Sequence, residues 1–337
     1  MKNSNMETDN FESSAMPVVR IAKDWDWPDL LRQTPGSKGI WDGIQFTTSD
    51  VVECDALVML NNRMKCAVHA KCPKGRIWAL MQEPYAKGFT DWMVEGHDSF
   101  DRVYTNYLPS SDPKYIASQP ALPWHVNRTF DELTTCAMPE KSRQLSWIVG
   151  NFKDLPGHLK RGAFLRAVKE EENLDIDLYG REIRFIDDKW DGLAPYRYSI
   201  AAENTLWPDY WTEKIADCFL AWTVPFYHGS QNLEKYFPAD SFIRIDIEKP
   251  EEAIAIIKRT LREDDWGRRL PALEEARRRV LYEYQIFPVL SKLLKSEPPM
   301  SQIQIEHTVP AYKRSTMTRL RRLVYKVKRY FLRRKTK

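Results

Sequence analysis

Thr212, Glu213 and Lys214 stand at the head of the run TEKIADCFLAW, whose apolar residues recur at helical spacing. A helix beginning there, with Thr212 as its cap, turns free N–H groups outward and sets a lysine beside them. Such a point attracts anions, and a diphosphate is the obvious ligand. Glu213 in the same turn can accept hydrogen bonds from sugar or ribose hydroxyls. Glu203 and Asn204 lie a short loop upstream, at the end of the run RYSIAAEN. The same spacing also reads as an ordinary helix start with a capping acid and a surface lysine, and these residues alone leave both readings open.

A frame must position these groups. RQLSWIVGN (143–151), LDIDLYG (174–180), RYSIAAEN (197–204), TVPFYHG and SFIRIDI read as strands. LKRGAFLRAVKEE (159–171), with Phe164, Leu165 and Val168 on one face, the run from Thr212 to Trp222, and EKPEEAIAIIKRTLR read as helices. Upstream, VVECDALVMLNN (51–62), GRIWALMQEP (75–84) and DRVYTNY (101–107) have the same strand-like character. The alternation predicts two consecutive α/β domains with parallel sheets, joined by a linker over 134–142. Facing Rossmann-like domains leave a cleft between them, with ligands at the carboxyl ends of the strands. We place a disordered leader at 1–16, the first domain at 17–139, the second at 140–298 and a basic tail at 299–337.

With 337 residues, 43% of them hydrophobic, the chain can bury two cores. No apolar run is long enough to cross a bilayer, and the polar start lacks the features of a secretory signal. Five cysteines without a CxxC pair suit free thiols in a reducing compartment, so a cytoplasmic location is expected. The acids of DID (175–177), Asp187–Asp188 and Glu263–Asp265 do not build a convincing metal site, and no metal is expected.

The stretch from Ala202 to Asp246 resembles the signature of glycosyltransferase family 10, the α-1,3/1,4-fucosyltransferases. The resemblance is carried by Glu203-Asn204-Thr205, Tyr210, Thr212-Glu213-Lys214, Asp217, Thr223-Val224-Pro225, Gly229, Asn232, Pro238 and Ser241-Phe242-Ile243. Upstream, Arg161 in LKRGAFLRAV and Tyr179–Gly180 in DLYGR are similar to further family elements. Ala202, Trp211 and Trp222 depart from the pattern and are expected beside the donor site; the family usually has Gly at the position of Trp222.

The resemblance implies a GT-B-like fold and metal-free, inverting transfer of fucose from GDP-fucose to an oligosaccharide acceptor, of a bacterial surface glycan such as lipopolysaccharide. The implied donor-binding set is Arg161, Tyr179, Gly180, Glu203, Asn204, Tyr210, Thr212, Glu213, Lys214 and Asp217. Arg161 and Lys214 would hold the departing GDP. The base is expected at a strand end of the first domain, where Glu83 precedes Pro84, with Glu95, Asp91 and His97 as further candidates. A strand-ending surface glutamate is the plainer reading of Glu83. Transfer from another GDP-sugar, and a non-catalytic nucleotide-sugar or glycan binder, are the alternatives.

The net charge of +4 hides an asymmetry: 313–337 holds twelve Lys/Arg and no acid, leaving the rest at −8. Leu320, Leu323, Val324, Val327 and Phe331 fall on one face of a helix there. This is the pattern of a helix lying on an anionic membrane surface, with each basic residue worth on the order of 1 kcal/mol. The tail would hold the protein at the inner face of the membrane. A protein partner is the second reading and nucleic acid a third, and no nucleic-acid partner is expected.

Overall fold

A computed structural model describes residues 16–150, 156–298 and 303–324. The first domain is built on strands β1 (Val18–Ala22), β2 (Ile40–Trp41), β3 (Ile44–Thr47), β4 (Ala56–Leu60), β5 (Val68–Pro73), β6 (Ile77–Leu80), β7 (Arg102–Thr105) and β8 (Tyr115–Ala117). Seven of them form a sheet in the order β2-β3-β1-β4-β6-β7-β8, and every neighbouring pair except β2–β3 is parallel. The period of two explains why β4 and β6 are apolar throughout. Val58, Leu60, Trp78 and Leu80 face one core, while Leu57, Met59, Ile77 and Ala79 face the other.

The chain leaves this sheet through 118–142, where α1 (Phe130–Thr135) begins with a reciprocal capping box between Thr129 and Glu132. The second domain follows as β9 (Arg143–Ile148), α2 (Pro156–Glu170), β10 (Asp177–Tyr179), β11 (Tyr196–Ala202), α3 (Glu213–Leu220), β12 (Val224–His228), β13 (Ile243–Arg244), α4 (Pro250–Glu263) and α5 (Trp266–Arg279). Its sheet is parallel, in the order β10-β9-β11-β12-β13. Phe164, Leu165 and Val168 of α2 enter its core, as their spacing predicts.

The boundary expected at 298 is corrected. A π-helical turn (Val280–Tyr284) ends α5, and α6 (Ile286–Ser296) packs Ile286, Phe287, Leu290 and Leu294 into the core of the first domain. Phe287 meets Phe46 with ring centroids 5.1 Å apart. Gln285 fixes this return by donating to the Gln33 carbonyl at 2.9 Å, and Gln119 donates to the Tyr284 carbonyl at 2.9 Å. The tail likewise starts on the first domain: β14 (Gln304–Val309) pairs antiparallel with β5, and Val309 is buried there. A short helix covers 316–324; the leader through 15 and the predicted helical residues Val327 and Phe331 lie outside the described residues. Among the described residues no helix is long and apolar enough to cross a membrane.

Candidate functional site

Glu203 follows directly on β11, and its N–H continues the parallel ladder by donating to the His228 carbonyl at 2.7 Å. That strand end buries its carboxylate completely, beneath the first turn of α3. Thr212 donates to it through N–H at 2.9 Å and through its hydroxyl at 2.7 Å, and the Lys214 ammonium approaches to 3.1 Å. Thr212 caps α3 as expected, accepting from the Lys214 N–H at 3.4 Å. Gly229 is demanded by this packing, because a Cβ there would lie 2.3 Å from the Tyr227 hydroxyl and 2.7 Å from Cγ of Glu203. Asn232 steadies the intervening loop, accepting from the Asp209 N–H at 2.8 Å and donating to the Asp209 carboxylate at 3.0 Å.

Burial would strip the Lys214 proton, but Glu203 and Glu213 more than offset it, and its pKa is pushed up to about 12. Burial likewise opposes ionisation of Glu213, yet Lys214 and Lys189 hold its carboxyl well below the usual range. Lys189 completes the cluster, 3.7 Å from Glu213 and 3.1 Å from Asp217.

Arg161 on α2 is treated differently. Only 6% exposed, it lines the same pocket as Glu213, Lys214, Lys189 and Ala202, yet its guanidinium has no hydrogen-bond or ion-pair partner among the described residues. Burial lowers its pKa, opposed by the more distant Glu203 and Glu213. A buried, unpaired arginine is costly unless an anion arrives to meet it.

A second cavity opens between the two domains. Glu213, Lys214, Thr212, Tyr210 and Asn204 line it from one side, and Glu83, Asp24, Trp25, Trp27, Asn61 and Arg63 from the other. Glu213 and Lys214 therefore form the ridge between the Arg161 pocket and the cleft. The backbone at Glu83 is held by the ends of the neighbouring strands: the Gln82 N–H donates to Asn61 Oδ1 at 2.8 Å, and Asn106 donates to the Glu83 carbonyl at 3.1 Å. The Glu83 carboxyl makes no side-chain hydrogen bond among the described residues. Its pKa is raised by burial, with Lys214 opposing and Glu213 reinforcing.

The other acids expected near this position lie elsewhere. Glu95 is saturated by tail hydroxyls, Asp91 is buried and accepts from the Gly88 N–H at 2.9 Å, and His97 is bonded to the Trp92 carbonyl at 2.7 Å. Tyr179 and Gly180 also stand apart. The Tyr179 hydroxyl lies 2.6 Å from that of Tyr196, in a cluster with Asp177, and Gly180 packs on the Val149 carbonyl. Asp217 is spent on architecture: one oxygen accepts from the His125 and Val126 N–H groups at 2.8 and 3.3 Å, the other from Lys189.

Of the three departures expected beside the donor site, only Ala202 lines the pocket that holds Arg161 and Lys214. Trp211 is buried against Tyr236, Phe237 and Tyr284. Trp222 lies past the opposite end of α3, at a φ of 58°, stacked by Arg277 at 5.2 Å. A left-handed residue closing a helix is the position glycine favours, so the departure concerns backbone strain rather than donor fit.

His125 and Lys189 carried no signal of spacing. Asp24 and Asn61 follow the ends of β1 and β4 and were in principle within reach of the strand-end rule. His125 packs on Trp27 with ring centroids 5.1 Å apart, and burial, aided by Lys189, pushes its pKa down to about 3.

The sequence model described as "Glycosyltransferase family 10 (fucosyltransferase) C-term" matches residues 138–266. The chain is 25% identical over 250 residues to the Homo sapiens 4-galactosyl-N-acetylglucosaminide 3-alpha-L-fucosyltransferase FUT6, a match covering 69% of this chain and 65% of that protein. It is 31% identical over 127 residues to the Mus musculus 4-galactosyl-N-acetylglucosaminide 3-alpha-L-fucosyltransferase 9, covering 36% and 34%. The chain thus spans less than two thirds of the length of these relatives. A solved alpha1,3-fucosyltransferase with GDP superposes with a TM-score of 0.47 at 17% identity, over 80% of this chain and 85% of that one. The family match falls on the second domain, over the residues that build the pocket, so it is this domain that is similar to the C-terminal part of glycosyltransferase family 10.

Proposed function

We propose that the protein transfers L-fucose from GDP-fucose to a hydroxyl of an oligosaccharide, with inversion and without a metal. The observation that carries this reading is Arg161: a buried guanidinium with no partner among the described residues, in a pocket shared with Lys214 and the α3 N-terminus. A diphosphate meets that unsatisfied charge, and its two oxygens suit the planar fork. Glu213 offers its carboxylate to ribose or sugar hydroxyls. Lys214, already protonated, stabilises charge as it develops on the departing GDP.

Glu83 acts as base. Its carboxyl faces the donor ridge from the opposite wall of the cleft, as an inverting displacement requires of the group that deprotonates the incoming hydroxyl, and its raised pKa suits proton acceptance. The acceptor is a bacterial surface glycan joined through an α-1,3 or α-1,4 linkage. The basic tail keeps the protein at the inner face of an anionic membrane.

GDP release from GDP-fucose, followed over a panel of β-galactoside and N-acetylglucosaminide acceptors, tests the reading, and NMR of the product's anomeric carbon tests inversion. Tight GDP-fucose binding with no turnover on any acceptor would make the protein a nucleotide-sugar binder. Turnover with a different GDP-sugar would reassign the donor, and failure to bind GDP would end the reading altogether.

A further inference from the structure

Strands β5 and β14 form a two-stranded ribbon separate from the seven-stranded sheet. Among the described residues, one parallel bridge, Glu53–Lys71, joins this ribbon to the segment that leads into β4. The Lys71 N–H donates to the Val52 carbonyl at 2.7 Å, and the Cys54 N–H donates to the Lys71 carbonyl at 3.1 Å. These two bonds fix the register. Glu53 and Lys71 meet as an ion pair at 2.7 Å on the exposed face. Successive side chains alternate, so Cys54 and Cys72 stand opposite each other on the inner face. Both are buried there, in one apolar cluster with Val68, Ala70 and Met81.

Paired strands lie about 4.8 Å apart, inside the roughly 4.4–6.8 Å between Cα atoms that a disulfide spans. The two thiols hydrogen-bond each other, but they are not equivalent. Cys54 keeps 4% of its surface exposed, and Cys72 keeps none. Cys54 also feels the guanidinium of Arg20, which is fixed by the Val51 carbonyl at 2.8 Å and the His69 carbonyl at 2.6 Å. The bond from Cys72, with this cation, lowers the Cys54 pKa against the effect of burial, whereas Cys54 and burial push the Cys72 thiol up. The thiolate is the nucleophile, so Cys54 attacks and Cys72 resolves.

We propose that Cys54 and Cys72 are a reversible dithiol–disulfide pair, oxidised by a hydroperoxide, which fastens the β5–β14 ribbon to the sheet of the first domain. With hydrogen peroxide, the Cys54 thiolate attacks one oxygen, the O–O bond breaks and hydroxide leaves. Cys54 is then a sulfenic acid. The Cys72 sulfur displaces its hydroxyl, which departs as water with the Cys72 proton, and the S–S bond forms. Two electrons have passed from the sulfurs to the peroxide. Exchange with an external dithiol restores both thiols, the form in which they stand in this structure. The strand that fixes the start of the tail, Gln304–Val309, is thereby held through a covalent link when the protein is oxidised.

Peptide mapping without reduction tests the pair, after the reduced full chain has met hydrogen peroxide and its remaining thiols have been blocked. The expected product is a Cys54 peptide joined to a Cys72 peptide, two hydrogens lighter than the separate pair and released by dithiothreitol. Cys72→Ser should leave a sulfenic acid on Cys54 that dimedone labels, and Cys54→Ser should give no joined peptide. The native chain supplies a further readout that needs no variant to fold: amide exchange across 304–309 should slow about tenfold on oxidation. Absence of the joined peptide, with oxidation falling on the exposed Cys66 instead, overturns the assignment. A joined peptide without slower exchange overturns the fastening of the ribbon.

Discussion

The Lys214 ammonium lies 3.1 Å from the carboxylate of Glu203, whose side chain has no exposed surface. Neither charge is tolerable there alone. The pair ties the end of β11 to the start of α3, and so fixes the ridge that separates the Arg161 pocket from the interdomain cleft.

Replacing Lys214 by Met should therefore leave a buried carboxylate uncompensated and cost about 3 kcal/mol of stability. The double replacement Lys214→Met with Glu203→Gln should be less destabilised than Lys214→Met alone, since the orphaned charge is gone. Denaturant unfolding of the three proteins checks the order; a double variant weaker than the single one would show that the pair is not a charge-compensating unit.

Arg161→Met should behave in the opposite sense. Removing a buried cation that pairs with nothing among the described residues should leave the thermal midpoint unchanged or raised. GDP affinity should fall by roughly 2 kcal/mol, the scale of a charged bidentate contact. Calorimetric titration with GDP and a thermal melt read the two effects separately.

Glu83 must be ionised to accept a proton, so turnover should be present above its pKa and lost as pH falls through it. Because burial raises that pKa, the acid limb should lie above the ordinary glutamate range. Glu83→Gln should abolish turnover while GDP-fucose still binds. A pH–rate profile with its limb at or below pH 4 would contradict this arrangement.

His125 stays neutral in the folded protein, its pKa near 3 against 6.5 in the unfolded chain. A depressed histidine pKa means that the unfolded state takes up the proton first, so stability declines as pH falls below 6.5, by at most about 1.4 kcal/mol per pH unit. His125→Gln should show a shallower decline over the same range. Unfolding free energies measured at several pH values for both proteins give the comparison.

Much of this was legible in the order of residues. Strands β9, β11 and β12 are apolar runs with polar ends, and a parallel sheet covered on both faces leaves little else they can be. The cap at Thr212 follows from a local rule that needs no tertiary knowledge. The return of α6 to the first domain was not legible, because an apolar helix does not carry the address of the sheet it will cover. Nor was β14: QIEHTV alternates weakly and pairs with β5, far away in the chain. The tie between Asp217 and the His125–Val126 backbone escaped for the same reason, since it depends on two loops meeting and not on any spacing within one.

The return of α6 has a mechanical side. Two covalent strands now join the sheets, one through 118–142 and one through the turn at Val280–Gln285. Any opening of the cleft must therefore be accommodated by both connections at once, the segment 118–142 and the turn at Val280–Gln285.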